Sequence, residues 1–219
     1  MPWPAGTVHR ATGGLAYARG SLGGVQRDAA PRATIVLAHA VGFCKELWAP
    51  VLHELAPLLE RTPATIDWLA LDFSGHGASR APPPDGTSTW DRYHAQELRE
   101  VMRAEGIDPA ASVVMGVGHS MGGAVLASLE LRDSGHFRHV VAIEPPLFTR
   151  AALGIARVLS ATGSNPLANA AARRRSTWPS QDAAREHFSK RSAAGWVNTR
   201  CIYICIYIYL YICIYVYII

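Results

Sequence analysis

Val113-Val114-Met115-Gly116-Val117-Gly118-His119-Ser120-Met121-Gly122-Gly123-Ala124-Val125-Leu126 decides how this chain is read. An apolar, β-branched run ends in Gly118-His119-Ser120-Met121-Gly122, and a segment rich in small residues, Gly122–Arg132, continues from it. The pattern predicts a strand, a sharp turn and a helix, the setting of a nucleophile elbow. A serine hydroxyl is a poor nucleophile until it is presented to a base. The turn would raise Ser120 above the end of the sheet, and it crowds the backbone, so Gly118 and Gly122 must be small, with Gly123 as extra room. The Met121 N–H would stand at a helix N-terminus, where it can stabilise an oxyanion.

Outward from this stretch, apolar strand-like runs alternate with helical patterns, which predicts βαβ units and a mainly parallel sheet. A hairpin is expected over Thr7–Arg10 and Leu15–Arg19, then a buried strand over Thr34–Ala38. Trp48, Val51, Leu52, Leu55, Leu58 and Leu59 recur at helical spacing, and Ile66–Leu71 reads as the next strand. Ser88 and Asp91 have the spacing of a capping box for a helix running to Gly106. Val140–Ile143 is the last strand-like run. From Leu147 to about Arg191 the pattern is helical throughout.

Two further motifs follow strands. His39-Ala40-Val41-Gly42-Phe43 comes after Thr34–Ala38, and Asp72-Phe73-Ser74-Gly75-His76-Gly77-Ala78-Ser79 after Ile66–Leu71. In the first, the Val41 N–H is the candidate second oxyanion donor, Gly42 allows the turn, and His39 reads as a turn-stabilising residue. In the second, Asp72, Gly75, His76 and Gly77 suit a tight turn beside the site. His119 neighbours the nucleophile and is read as structural or as pocket lining. Together the three motifs resemble the α/β-hydrolase superfamily over roughly Ala5 to Trp196. The wording of residues 39–48, and of Ile143-Glu144-Pro145-Pro146-Leu147-Phe148, is similar to peroxisomal-lipase-like hydrolases. A serine at the elbow argues against the epoxide-hydrolase and dehalogenase branches, which use Asp.

That resemblance implies an α/β fold with six of the eight family strands, residues 1–146 forming the core and 147–196 the start of a helical cap. It implies hydrolysis of a small apolar ester or other acyl substrate through a Ser120 acyl-enzyme, with no metal or organic cofactor. In the superfamily the triad follows the order Ser, Asp or Glu, then His. Glu144 is the candidate acid, or else a pocket carboxylate or a loop anchor. Strands seven and eight and the catalytic His have no counterpart, so the chain is expected to be inactive. His187 lies in a charged helical segment and reads as a surface residue.

Composition marks where the resemblance stops. The last nineteen residues, Cys201–Ile219, hold eight Ile, six Tyr and three Cys, whereas the preceding two hundred hold five Ile and two Tyr. Residues 197–219 are read as an aberrant tail: Ile, Tyr and Cys suit a TA-rich simple repeat, and Val197-Asn198 would be coded like a splice donor, which points to a translated intron. The tail is the one membrane candidate, but its order has no helical period. The net charge of +4 is spread out, with Arg173-Arg174-Arg175 as its one run and no basic helix alternating with exposed aromatics, so nucleic acid is not an expected partner. No signal peptide is read at the N-terminus, and the expected compartment is cytoplasmic or peroxisomal. Two rival readings stand beside the hydrolase: a catalytically dead fragment or non-enzymatic binding module, and a tail-anchored membrane protein.

Overall fold

The computed structural model describes residues 2–23, 32–60, 65–82, 90–146, 217–218 and scattered positions between 154 and 186. They fall into two units, Met1–Pro146 with Ile214–Ile219, and Leu147–Cys213. In the second unit the described residues include short helical pieces such as Gly154–Ile155 and Val158–Leu159. The expected cap at Ser88, most of the cap segment including His187, and most of the tail lie outside the described residues.

The first unit is a seven-stranded sheet ordered β1-β2-β4-β3-β5-β6-β7. Strands β1 (Val8–Thr12) and β2 (Leu15–Leu22) form an antiparallel hairpin, and β2 pairs antiparallel with β4 (Thr65–Leu71). The centre is parallel: β4 on β3 (Arg32–Ala38), β3 on β5 (Val113–His119), and β5 on β6 (His139–Ile143). The strands therefore stand where the hydrophobic pattern puts them, each one to three residues longer. The seventh, β7 (Tyr217–Ile218), comes from the Ile/Tyr tail and pairs antiparallel with β6 through Val141↔Ile218 and Ala142↔Tyr217.

Alternation along the central strands builds two cores. Val36 and Ala38 of β3, with Leu69 and Leu71 of β4, face one side, where Leu98, Val101, Val125, Leu126 and Leu129 cover them. Those residues come from α2 (Trp90–Ala104) and α3 (Met121–Arg132). Ile35, Leu37, Trp68 and Ala70 face the other side and meet Trp48 and Leu52 of the segment that leads into and forms α1 (Ala49–Leu59). Strands buried on both faces read as continuous apolar runs, which is why no polar alternation marks them. Helix α3 is buried nearly all round from Met121 to Leu129, because its Gly and Ala residues let it lie close on the sheet. No helix among the described residues is long and apolar enough to cross a membrane.

Candidate active site

Parallel strands bring their C-terminal ends to one edge of the sheet, and there β3, β4 and β5 deliver the three motifs. Ser120 sits between β5 and α3 at φ 50°, ψ −115°, a conformation that non-glycine residues rarely adopt. Its N–H donates to the Ile143 carbonyl at 2.8 Å, and its own carbonyl accepts the Ala124 N–H at 3.1 Å. Glycine packing enforces the bend. A Cβ on Gly118 would lie 2.5 Å from the Gly122 carbonyl carbon, and one on Gly122 would lie 2.2 Å from the Ala38 carbonyl oxygen. Gly123 is not spare room as expected: its Cβ would stand 2.9 Å from the Gly118 oxygen and 3.2 Å from the Ala142 methyl, so this position is also tightly packed. Met121 begins α3, and its N–H belongs to the first turn, where helix N–H groups have no intrahelical acceptor.

The turn after β3 is held by His39, which is fully buried. Its Nδ1–H donates to the Ala40 carbonyl at 2.8 Å, and its Nε2 accepts the Phe73 N–H at 3.2 Å. Burial lowers its pKa to about 4, against the opposing pull of the Ala40 hydrogen bond, so the ring is neutral with its proton on Nδ1. Both ring nitrogens are occupied, leaving none for general-base work. The Ala40 carbonyl also accepts the Phe43 N–H at 3.1 Å, closing a turn through Val41 and Gly42. Val41 projects into solvent at 62% exposure, and no hydrogen bond engages its N–H among the described residues. Phe43 is 40% exposed and lies 6.5 Å, ring to ring, from His119, whose pKa burial lowers.

Asp72 organises the third motif from a fully buried position. It accepts the Lys45 N–H at 2.6 Å, the Lys45 Nζ at 2.7 Å and the Ala78 N–H at 2.8 Å. Gly77, at φ 53°, presses on that carboxylate so closely that a Cβ would stand 2.2 Å from Oδ2. Gly75, at φ 73°, turns in open space. His76 donates from Nδ1 to the Ser74 carbonyl at 3.0 Å, and its ring lies 5.0 Å from that of His39. Beneath the loop, Glu97 of α2 accepts the Ser74 N–H at 3.2 Å and the His94 Nδ1–H at 2.7 Å.

Sequence reading missed Lys45, His94 and Glu97. Lys45 was legible only as one of two lysines in a chain with nineteen arginines. It is 5% exposed, and although burial alone would lower its pKa, the hydrogen bonds to Asp72 and Glu46 raise it. His94 and Glu97 stand three apart on α2, a helical neighbour pair that carries no motif by itself.

Glu144 directly follows β6 and adopts φ 50°, the second non-glycine residue with positive φ besides Ser120 among the described residues. The Ile143 carbonyl that receives the Ser120 N–H is its immediate neighbour, so both strained residues meet at one point of the sheet edge. Burial raises its pKa above the ordinary carboxylate value. No group of three or more metal-ligating side chains occurs among the described residues.

A strained serine between a parallel strand and a glycine-packed helix, within this strand order, defines an α/β-hydrolase architecture. The family model described as "Alpha/beta hydrolase family" matches residues 35–205, and the chain belongs to that family. Among solved structures it is similar to the peroxisomal α/β-hydrolase Lpx1 of Saccharomyces cerevisiae, with a TM-score of 0.52 and 26% identity over 64% of this chain and 40% of that one. It is also similar to the epoxide hydrolase VrEH1 of Vigna radiata, with a TM-score of 0.52 and 16% identity over 72% and 45% of the two chains. The chain thus spans less than half the length of either protein. No curated protein matches it significantly in sequence.

Proposed function

We propose that the chain carries the nucleophile half of a serine hydrolase acting on a carboxylic ester or related acyl bond. The observation that carries this reading is the strained Ser120, held at φ 50° by glycines that tolerate no Cβ. Ser120 Oγ adds to the acyl carbon while its proton passes to a base. The carbonyl oxygen becomes an oxyanion facing the Val41 and Met121 N–H groups, and the alcohol leaves with a proton. Water then attacks the acyl-enzyme and releases the acid. Glu144 is the proposed acid, since a strained carboxylate follows β6 beside the elbow. Exposed Val41 and Phe43 at the same edge favour an apolar acyl group.

The proposal includes a defect. His39 is committed through both nitrogens, and His119 is adjacent to the nucleophile on the turn. Neither is assigned as the base, and the 219-residue chain is proposed to be nearly inactive. Loss of one triad member leaves roughly 10³–10⁴-fold catalysis over water. The non-enzymatic binding module is the second reading, favoured by the lack of an assigned base among the described residues. Labelling with a fluorophosphonate separates them: slow labelling abolished by Ser120→Ala supports the hydrolase, and labelling unaffected by that change refutes it. The 26% identity to Lpx1 favours a peroxisomal over a cytoplasmic compartment and the peroxisomal-lipase-like branch.

A further inference from the structure

The turn that carries Val41 has no packing of its own at its tip. Val41 is 62% exposed, Phe43 is 40% exposed, and a Cβ on Gly42 would meet nothing within 4 Å. Gly42 stands at φ 78°, and the Phe43 N–H donates to the Ala40 carbonyl at 3.1 Å, which is the geometry of a type II turn with Val41 at its second position. The placement of the tip is therefore dictated by its two stems. The stem before it is held by His39, whose ring accepts the Phe73 N–H. The stem after it is held by Lys45, whose main-chain N–H donates to Asp72 Oδ1 at 2.6 Å while its Nζ donates to Asp72 Oδ2 at 2.7 Å. Asp72 and Phe73 are neighbours in sequence, so both stems are tied to one point at the end of β4. In the sheet below, Ala38 pairs with Gly118, so Val41 and Met121 each stand three residues beyond the same rung. The Phe43 and His119 rings, 6.5 Å apart, bring the far side of the turn beside the elbow.

We propose that Lys45 and Asp72 form a positioning pair for the oxyanion site, setting where the Val41 N–H stands relative to Ser120. The inference rests on the serine-hydrolase reading above. A buried ion pair is weak evidence for stability, because apolar residues of similar volume often replace one without loss. What an apolar pair lacks is direction. Asp72 holds Lys45 twice, by main chain and by side chain, and its Oδ2 is fixed in turn by the Ala78 N–H at 2.8 Å. Asn at position 72 does not reproduce this grip. Its Nδ2 is no acceptor, so the two oxygens that separately serve the Lys45 and Ala78 N–H groups are reduced to one. Lys45 Nζ also meets Glu46 Oε1 at 2.9 Å, but that side chain is half exposed, which makes it the weaker partner. An oxyanion donor acts only at hydrogen-bond distance from the developing charge, and a misplacement of about 1 Å costs roughly 10²-fold in rate. Neither Lys45 nor Asp72 touches the substrate in this account; both act through Val41.

The test is the rate at which a fluorophosphonate labels the full chain over a series of probe concentrations, which separates reversible binding from the bond-forming step. In that step the Ser120 Oγ–P bond forms, fluoride leaves, the serine proton passes to solvent, and the phosphoryl oxygen takes the oxyanion position. Lys45→Met/Asp72→Asn should leave the binding constant unchanged and slow the bond-forming step roughly tenfold or more. Lys45→Arg, which keeps the cation, should lose less, and Glu46→Gln should match the parent. Val41→Pro suits the second position of a type II turn and removes the N–H, so it should slow the step by roughly 10²-fold. The decisive variant combines Val41→Pro with Lys45→Met/Asp72→Asn: because the pair acts through that N–H, the combined loss should equal that of Val41→Pro alone. Thermal melts establish that each variant is folded at the labelling temperature. Losses that multiply, a change confined to the binding constant, or an unchanged rate in Lys45→Met/Asp72→Asn overturns the positioning role. Absence of Ser120-dependent labelling in the parent chain overturns the serine-hydrolase reading, and this inference with it.

Discussion

At the scale of single residues, the site is a set of close approaches that leave no room for variation. A methyl group at position 122 would enter the Ala38 carbonyl on the neighbouring strand. Gly122→Ala is expected to destabilise the protein by about 3 kcal/mol or more, read as a fall in the urea midpoint. His39 adds a pH dependence. Its folded pKa, about 4, lies below the unfolded value of 6.5, so the unfolded chain binds the extra proton first. Its contribution to stability is fully present above pH 6.5 and is lost as pH falls towards 4, amounting to about 3 kcal/mol at most. In His39→Asn, unfolding followed between pH 4 and 7 should show a flatter slope than in the parent chain.

At the scale of elements, the loop after β4 is anchored from three directions: Lys45 before α1, His39 after β3, and Glu97 on α2. Replacing Lys45 with Met strands the buried Asp72 carboxylate and should cost about 3–5 kcal/mol, with partial recovery in Lys45→Met/Asp72→Asn. Equilibrium denaturation of the single and double variants checks this. The loop's glycines and its position after a strand were legible in sequence, because turns need specific residues at specific places. Its anchors were not, since a buried ion pair joins residues 27 apart and leaves no local pattern. Gly123 was misjudged because two approaches confine it together, the Gly118 carbonyl oxygen across the turn and Ala142 on β6.

At the scale of the molecule, one sheet carries two separate cores, and their side chains alternate along the same strands. Leu98→Ala on one face and Leu52→Ala on the other should each cost about 2–5 kcal/mol. Because the two share no contacts across the sheet, the double variant should be additive within about 0.5 kcal/mol by urea denaturation. The mainly parallel sheet could be anticipated because apolar strand-like runs alternate with helical patterns. The pairing of Tyr217–Ile218 with β6 is not marked by a register signal, since the tail repeats Ile and Tyr throughout. The central proposal is that Ser120 is a positioned nucleophile with no base assigned to it among the described residues. Ester hydrolysis by the full chain, measured with and without added imidazole, addresses it directly. Imidazole should raise a Ser120-dependent rate severalfold above the sum of chain alone and imidazole alone. An enhancement equally large in Ser120→Ala, or none in the parent chain, would contradict the account.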